Sequence, residues 1–182
     1  MEIFRKMSFA DSTGDAIPFY HEGKYHIFSL TSPPGTTVYP ERPRTTWSHS
    51  ISDDLVHWQE LPTALYPGKG DEPDASGVWT GSVIYGEGQY HAFYTGYCLT
   101  AEFQQTICHA TSDDGITWTK DIANPVITPM TELYEKLDWR DPYVFYNEED
   151  ENYWILISAR RLDMPVTRRG CIGLYRSKNL KD

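Results

Sequence analysis

Apolar and polar positions alternate along most of this chain in short segments. The segments are rich in Tyr, Phe, Val, Ile and Trp, and clusters of Gly, Pro, Asp and Asn separate them. Alternation with a period of two is typical of β-strands, and no window of helical length keeps the 3.6-residue period of an amphipathic helix. The pattern allows one helical turn, near residues 130–137. The sequence therefore predicts an all-β protein.

A strand–turn–strand unit occurs three times along the chain. Residues 19–28 (FYHEGKYHIF) match residues 84–93 (IYGEGQYHAF), 65 positions later, and residues 145–156 (FYNEEDENYWIL) form a third copy. Each copy places a polar or Gly-containing turn between two apolar segments. This arrangement is the signal of a β-hairpin.

A second repeated motif follows each hairpin. It reads SDDLVHW at residues 52–58, SDDGITW at 112–118 and SKNLKD at 177–182. The Ser and Asp side chains are expected to hydrogen-bond the local backbone and form a turn. We expect Trp58 and Trp118, which end the first two copies, to pack between neighbouring sheets.

The spacing of both repeats predicts a β-propeller with four-stranded blades. Copies lie 60 to 65 residues apart, which leaves room for four strands each and exceeds the ~40–45 residues of a WD40 repeat. Blades are expected at about residues 10–70, 75–130 and 138–182. Closed propellers have about four to eight blades. We therefore expect the chain to be the N-terminal portion of a single propeller domain, which a further segment or another chain completes.

Charge and composition narrow the range of partners. Asp and Glu total 26 against 16 Lys and Arg, so the net charge is −10, and no run of basic residues occurs. Nucleic acids and anionic membranes would repel such a chain, and a small neutral or cationic molecule is the expected partner. Three Cys without a Cys-x-x-Cys pair or clustered His indicate neither a disulfide framework nor a metal site. The sequence shows no signal peptide or membrane-spanning segment, which predicts a cytoplasmic protein.

Three residues share one register in the predicted innermost strands. Four positions before each hairpin lie Asp15, Thr80 and Asp141. The first strand of each propeller blade lines the central channel, so these side chains are expected to meet in one pocket. Converging carboxylates are what cleavage of a glycosidic bond requires. The alternative interpretation is that Asp15, after Gly14, and Asp141, before Pro142, are ordinary turn residues.

Aromatic and basic residues flank these positions. Trp79 precedes Thr80, and Arg140 precedes Asp141. Aromatic faces cover the apolar face of a sugar ring, and Arg donates a planar fork to hydroxyls or a carboxylate. Trp47 is a further candidate for the pocket, although Trp47 and Trp79 fit a core role equally well. Strand alternation points Arg140 away from Asp141, so both reach one site only if the strand is irregular there.

The other polar residues form no competing catalytic motif. All six His fall in strand or turn positions, and His26 and His91 occupy matching places in successive hairpins, which predicts structural roles. The sequence contains no nucleophile elbow, phosphate-binding Gly loop or metalloprotease helix. Acid–base and nucleophilic chemistry at an acetal needs no metal or organic cofactor, so none is expected.

Four motifs resemble glycoside hydrolase family 32, the family of invertases, levanases and sucrose-6-phosphate hydrolases, which has a five-bladed β-propeller. They lie at residues 47–67, at 79–82 (WTGS), at 110–118 together with 124–127, and at 140–142 (RDP). The resemblance covers nearly the whole chain. It implies hydrolysis of β-fructofuranosides or related furanosides with retention of configuration. The reaction would form a covalent fructosyl intermediate between carboxyl groups about 5–5.5 Å apart.

The same resemblance implies a role for each candidate residue. Asp15 corresponds to the catalytic nucleophile at the start of the first blade. Asp141 corresponds to the aspartate of an Arg-Asp-Pro motif that stabilises the transition state, with Arg140 beside it. Trp79 and Thr80 correspond to the Phe and Ser of a Phe-Ser-Gly-Ser motif that lines the sugar pocket.

Two departures from the family pattern affect the expected activity. Residues 12–18 (STGDAIP) stand where the family has Trp-Met-Asn-Asp-Pro-Asn-Gly, so the Asn contacts to fructose are missing. The acid/base Glu, in a Glu-Cys motif of the fourth blade, is expected after residue 182. Little or no hydrolysis is therefore expected from the isolated chain.

Two other functions stay open at this point. One is an inverting enzyme similar to the family 43 arabinanases and xylosidases, in which the first Asp activates water and the carboxyl groups lie about 6.5–9.5 Å apart. The other is a non-catalytic carbohydrate-binding module that keeps the pocket without the acid.

Overall fold

The computed structural model describes residues 13–33 and 45–182, and its regular structure is almost all β-strand. The strands of this part of the chain are β1 Thr13–His21, β2 Lys24–Thr31, β3 Thr46–Ser52, β4 Trp58–Leu65, β5 Gly77–Gly86, β6 Gln89–Tyr97, β7 Gln105–Ser112, β8 Thr119–Lys120, β9 Tyr134–Asn147, β10 Asn152–Arg161 and β11 Gly170–Ser177. A 3₁₀-helix lies at Val166–Arg168, and the described residues contain no α-helix. The prediction of an all-β protein is confirmed.

The strands form antiparallel sheets, each built from one continuous stretch of chain. The first sheet has the order β1-β2-β3-β4 and the second β5-β6-β7-β8, and in the described residues the third has the order β9-β10-β11. Contacts between sheets join β1 to β5 and β5 to β9. The first strands of successive sheets are therefore neighbours, as in a propeller whose innermost strands surround a central axis.

Tight turns close the first two hairpins. Residues 22–23 form the connection between β1 and β2, with φ of 46° and 80°, and residues 87–88 connect β5 to β6 with φ of 50° and 80°. Positive φ at both positions is the signature of a type I′ turn, whose twist matches that of the flanking strands. The third hairpin has a longer connection at residues 148–151. The predicted triple hairpin repeat is confirmed.

The Ser-Asp-Asp motif forms its predicted turn in the first two sheets. Asp54 Oδ1 accepts hydrogen bonds from the backbone N–H groups two and three residues later, both at 2.8 Å. Asp114 Oδ1 accepts the equivalent pair at 2.8 and 2.7 Å. In the third copy Asn179 Oδ1 replaces the carboxylate and accepts from the N–H groups of residues 181 and 182 at 3.0 Å. One turn chemistry is thus repeated with two kinds of side chain.

Apolar side chains fill the two interfaces between the sheets. The interface of the first and second sheets contains Phe28 and Trp47, and that of the second and third contains Trp139 and Ile157. Trp118 packs edge-on against Phe28, with ring centroids 5.8 Å apart. Its predicted position between sheets is confirmed.

The corresponding expectation for Trp58 is wrong. Trp58 begins β4, the outer strand of the first sheet, and it belongs to neither interface core. It is half-buried, and its indole N–H donates to the Leu55 carbonyl at 3.1 Å. Trp118 packs back on the preceding sheet, whereas the described residues place no sheet on the corresponding side of the first sheet, so the Trp58 ring packs on its own turn.

The expected helical turn near residues 130–137 is a single turn that does not continue. The N–H groups of Leu133 and Tyr134 both donate to the Met130 carbonyl at 2.9 Å, and β9 then begins at Tyr134. The backbone N–H and C=O groups of this segment pair with β10, so they do not form the hydrogen bonds of a helix. Among the helices of the described chain, none is both long and apolar enough to cross a bilayer.

Candidate active site

The innermost strands of all three sheets carry a β-bulge at the predicted register. Pairing shifts between Gly14 and Ala16 in β1, between Val78 and Gly81 in β5, and across residues 141–142 in β9. A bulge leaves residues out of the ladder and re-aims their side chains. The residues concerned are Asp15 in the first sheet, Trp79 and Thr80 in the second, and Asp141 and Pro142 in the third.

Asp15 and Thr80 meet although they belong to different sheets. The Thr80 hydroxyl donates a hydrogen bond to Asp15 Oδ2 at 2.5 Å. Asp15 is exposed to solvent. Within the described part of the chain no group donates to its other oxygen, Oδ1. The bulge in β1 thus places the Asp15 carboxylate at the site. Its Oδ2 is held by Thr80, and its Oδ1 is available to a ligand.

Asp141 approaches the same site from the third sheet. Its φ is 55°, and its side chain is 43% exposed. Partial burial raises the pKa of the Asp141 carboxyl, the Arg140 guanidinium opposes this rise, and the negative charge of Asp15 adds to it. The charge of Asp15 thus acts on the Asp141 carboxyl, although the two residues belong to different sheets.

Arg140 also faces the site, because the bulge breaks the strand alternation. Its Nε lies 3.7 Å from Asp141 Oδ2. Its Nη1 is held by Asp138 Oδ1 at 2.5 Å and by Gln105 Oε1 at 3.0 Å. Two anchors from neighbouring sheets thus fix the guanidinium beside the Asp141 carboxylate. The irregular strand that the sequence analysis required is present.

Trp79 and Trp47 differ in their access to the site. Trp79 is partly exposed and stacks on Tyr97, with ring centroids 4.1 Å apart and planes at 17°. Trp47 has no exposed surface, and its indole N–H donates to the Trp79 carbonyl at 2.9 Å. A fully enclosed ring cannot touch a sugar, so the expected pocket contact of Trp47 is replaced by support of the Trp79 main chain.

Two residues of this region were not found by sequence reasoning. Tyr97 extends the aromatic surface of Trp79, and Thr95 accepts a hydrogen bond from the Asp141 N–H at 2.8 Å. Thr95 was detectable in principle, because the first repeat has Leu30 at the equivalent position. Tyr97 has no signal of its own, since tyrosines are common throughout the chain.

Four of the six histidines form two buried pairs. His26 Nδ1 lies 3.0 Å from His49 Nε2, and His91 Nδ1 lies 2.9 Å from His109 Nε2. Burial, together with a smaller effect of the partner imidazole, lowers the pKa of His49 to about 3 and that of His91 to about 4. The described residues contain no group of three or more His, Cys, Asp or Glu that could hold a metal ion.

Comparison with known proteins identifies the family. Residues 15–182 match the glycosyl hydrolases family 32 N-terminal domain. The chain belongs to this family. The predicted resemblance to family 32 is thereby confirmed, and the residues matched include every candidate site position.

Curated relatives agree with this assignment. The chain is 34% identical to an extracellular exo-inulinase of Aspergillus awamori, over 90% of the chain and 33% of the relative. It is 31% identical to a sucrose-6-phosphate hydrolase of Zymomonas mobilis, over 90% of the chain and 31% of the relative. A Bacillus subtilis levanase is 35% identical, over 89% of the chain and 22% of that protein. The chain thus spans a third or less of the length of these relatives.

Solved structures confirm the propeller fold. Fructan 1-exohydrolase IIa of Cichorium intybus superimposes with a TM-score of 0.77 at 26% identity, over 97% of the chain and 32% of that structure. Sucrose-6-phosphate hydrolase of Lactobacillus gasseri gives a TM-score of 0.74 at 29% identity, over 93% of the chain and 33% of that structure. The three sheets are therefore blades of the family 32 β-propeller.

Proposed function

We propose that this chain supplies the nucleophile and the sugar-binding part of a retaining glycoside hydrolase that acts on β-fructofuranosides. The observation that carries the proposal is the bulge that places Asp15, Thr80 and Asp141 at one register of neighbouring innermost strands, with Thr80 hydrogen-bonded to Asp15, in a chain of family 32. Relatives are described as an exo-inulinase, a levanase and sucrose-6-phosphate hydrolases. These proteins share a β-fructofuranoside substrate class, which we extend to this chain.

Asp15 is the proposed nucleophile. Thr80 directs one carboxylate oxygen by a hydrogen bond, and the other oxygen attacks the anomeric carbon of the fructosyl unit. The bond between that carbon and the leaving oxygen breaks as the ester bond to Asp15 forms, and the leaving oxygen takes a proton from the general acid. Water then gives a proton to the group that acted as general acid and attacks the anomeric carbon, which breaks the ester bond, returns the Asp15 carboxylate and gives net retention. The general acid remains predicted to lie after residue 182.

Asp141 is the proposed stabiliser of the transition state. An ionised carboxylate beside the sugar offsets the positive charge that develops at the anomeric carbon and accepts hydrogen bonds from ring hydroxyls. Arg140, 3.7 Å from that carboxylate, favours its ionised form and can donate to a hydroxyl. The Arg-Asp pair thus supplies both an acceptor and a donor to the sugar.

Trp79 is the proposed platform for the apolar face of the sugar. Its stack on Tyr97 holds the indole at a fixed angle, and the Trp47 hydrogen bond holds its main chain. We propose a positioning role for Trp47 in place of sugar contact. A small carbohydrate remains the proposed substrate, and the remainder of the propeller remains the proposed partner. The blade limits near residues 10–70, 75–130 and 138–182 and a cytoplasmic location also stay predictions.

The decisive experiment uses a substrate whose leaving group needs no proton from a general acid. Fructosyl fluoride has a leaving group that departs without a proton, whereas sucrose requires protonation of its glycosidic oxygen. We expect the isolated chain to hydrolyse fructosyl fluoride, or to form a fructosyl adduct visible by mass spectrometry, and to leave sucrose essentially intact.

Two variants locate the reaction. Asp15→Asn should abolish turnover and adduct, whereas Asp53→Asn, which changes another exposed Asp of the same sheet, should have no effect. Turnover of sucrose by the isolated chain would contradict the assignment of the acid to a later segment. Sugar binding without reaction on fructosyl fluoride would favour the carbohydrate-binding alternative. Inversion of the product would favour the family 43 type of mechanism.

A further inference from the structure

The Thr95 hydroxyl connects the two candidate carboxylates through the second sheet. Thr95 lies on β6 with no exposed surface. Its Oγ1 accepts a hydrogen bond from the Asp141 N–H at 2.8 Å and donates to the Thr80 carbonyl at 3.0 Å. The Thr80 hydroxyl in turn donates to Asp15. These roles are fixed, because a backbone N–H can only donate and a carbonyl can only accept.

Both backbone groups that Thr95 contacts lie in bulges. The Thr80 carbonyl lies where β5 leaves its ladder with β6, and the Asp141 N–H lies where β9 leaves its ladder with β10. Backbone groups taken out of a ladder and away from water need another partner. The backbone of Asp141, with a φ of 55°, also needs stabilising contacts, because a non-Gly residue keeps this conformation only when neighbouring groups hold it.

The first repeat shows that a blade does not require a hydroxyl at this position. Leu30 occupies in the first sheet the place that Thr95 occupies in the second, counted from the matching residues Phe28 and Phe93. Leu30 is buried and apolar. The third sheet has Ser158 at this position, so two of the three sheets carry a hydroxyl there, and that of Thr95 lies in the sheet whose successor carries Asp141.

We infer that Thr95 is a positioning residue of the active site: its hydroxyl holds the Asp141 main chain in the left-handed conformation and thereby sets the separation of the Asp141 and Asp15 carboxylates. The inference rests on the proposed function, in which both carboxylates act on one sugar. Thr95 is enclosed and touches no substrate, so it acts only through Thr80 and Asp141.

Three variants of the 182-residue chain test this role. Thr95→Val keeps the side-chain shape and removes the hydroxyl, and Thr95→Ser keeps the hydroxyl. Thr46→Val is the matched control, because Thr46 is equally buried and its hydroxyl also donates to a backbone carbonyl, that of Thr31 at 2.9 Å. The readouts are amide hydrogen exchange at Asp141 and the pH titration of the Asp15 and Asp141 carboxyl carbons by NMR.

Thr95→Val should speed exchange of the Asp141 amide at least tenfold relative to other β9 amides. It should also move the pKa of Asp141 down towards its ordinary value, because a released carboxyl gains water and moves away from Asp15. Thr95→Ser should keep both wild-type values, and Thr46→Val should lower the melting temperature without changing either. Wild-type values of both readouts in Thr95→Val would overturn the inference.

A measurement on the wild-type chain covers the case in which Thr95→Val does not fold. The Asp141 amide, which donates to the Thr95 hydroxyl, should be protected from exchange, and an unprotected amide would overturn the inference. Sucrose binding separates this test from that of the proposed function. We expect folded Thr95→Val to bind sucrose at least tenfold more weakly than the wild-type chain. If the wild-type chain does not bind sucrose, the proposed function is contradicted. If folded Thr95→Val binds sucrose with wild-type affinity, the role of Thr95 is contradicted.

Discussion

Gly81 shows how a missing side chain shapes the candidate site. A Cβ atom at this position would overlap the carbonyl oxygen of Phe93 and the Cα of Tyr94. Glycine therefore allows β5 to approach β6 closely where the bulge that carries Trp79 and Thr80 ends. The WTGS motif thus contains two residues that face the site and the glycine whose close backbone approach allows the bulge that orients them.

Gly81→Ala should lower the free energy of unfolding by about 1–3 kcal/mol, because the backbone must move to admit the methyl group. Urea denaturation measures this change. Gly170→Ala is the control, since no atom lies within 4 Å of a Cβ built there and its backbone is not left-handed. Equal midpoints for the two variants would contradict the close approach at Gly81.

Trp47 and Trp139 offer a matched test of one hydrogen bond. Both rings are fully buried, but the Trp47 indole donates to Trp79 whereas the Trp139 indole N–H has no partner among the residues that the structure describes. Trp47→Phe should therefore cost about 1–2 kcal/mol more than Trp139→Phe, because only the first leaves a carbonyl unpaired. Thermal denaturation gives the comparison. A larger loss in Trp139→Phe would show that ring packing alone determines the role of Trp47.

At the scale of the strand, the buried histidine pairs are a repeated element of the first two sheets. His49 stacks on Phe28 and His109 on Phe93, with ring centroids 4.1 and 4.6 Å apart. His109 also lies beside Asp121, with Nδ1 to Oδ2 at 3.2 Å, and burial still lowers its pKa. The folded chain therefore keeps these rings neutral at pH values where free histidine takes up a proton.

Acid should destabilise the chain through these rings. Between pH 6.5 and about 4 the unfolded chain binds protons at His49 and His91 and the folded chain does not, so the free energy of unfolding falls with pH. The loss is roughly 1.4 kcal/mol per pH unit for each ring that stays neutral. Urea midpoints across this range measure it.

His49→Leu isolates one contribution, because the third sheet carries Leu174 at the equivalent position. Its pH dependence should be flatter than that of the wild-type chain. Parallel curves for His49→Leu and the wild-type chain would exclude His49 as a source of the acid sensitivity.

At the scale of the whole molecule, the two interfaces between sheets differ in how they are filled. Trp118 closes the first interface against Phe28. At the second interface, the equivalent Phe93 borders an open groove of about 760 Å³, which Leu180 and Val144 also line. The groove lies where the third copy of the repeat would place the counterpart of Trp118, a position that follows Asp182.

Trp118→Ala should open a comparable groove at the first interface and cost about 3 kcal/mol, with increased binding of the apolar dye ANS. Trp58→Ala is the matched control, because Trp58 ends the same motif and lies outside both cores. Its loss should stay below about 1 kcal/mol. Similar losses in both variants would mean that Trp118 contributes only to its own turn.

The pattern of residues predicted the fold class, the hairpins and the turns because each depends on local chemistry that repeats. It also placed Asp15, Thr80 and Asp141 at one register of equivalent strands, where the structure has bulges, and their catalytic roles stay predictions. The role of Trp47 and the contacts of Thr95 were not predictable, because both depend on groups of a neighbouring sheet. A bulge changes by one residue which side chain makes such a contact, and the alternation of apolar and polar positions does not reveal where a bulge lies.

The buried imidazole pairs also provide an NMR signal that reports the opening of each sheet. His109 Nδ1 faces the Asp121 carboxylate, so its Nε2 accepts the proton that His91 carries on Nδ1. That ring proton exchanges with water only when the second sheet opens, and the pair in the first sheet reports on its own sheet in the same way. Nitrogen-edited NMR spectra recorded during warming would therefore show whether neighbouring blades melt together or one after the other.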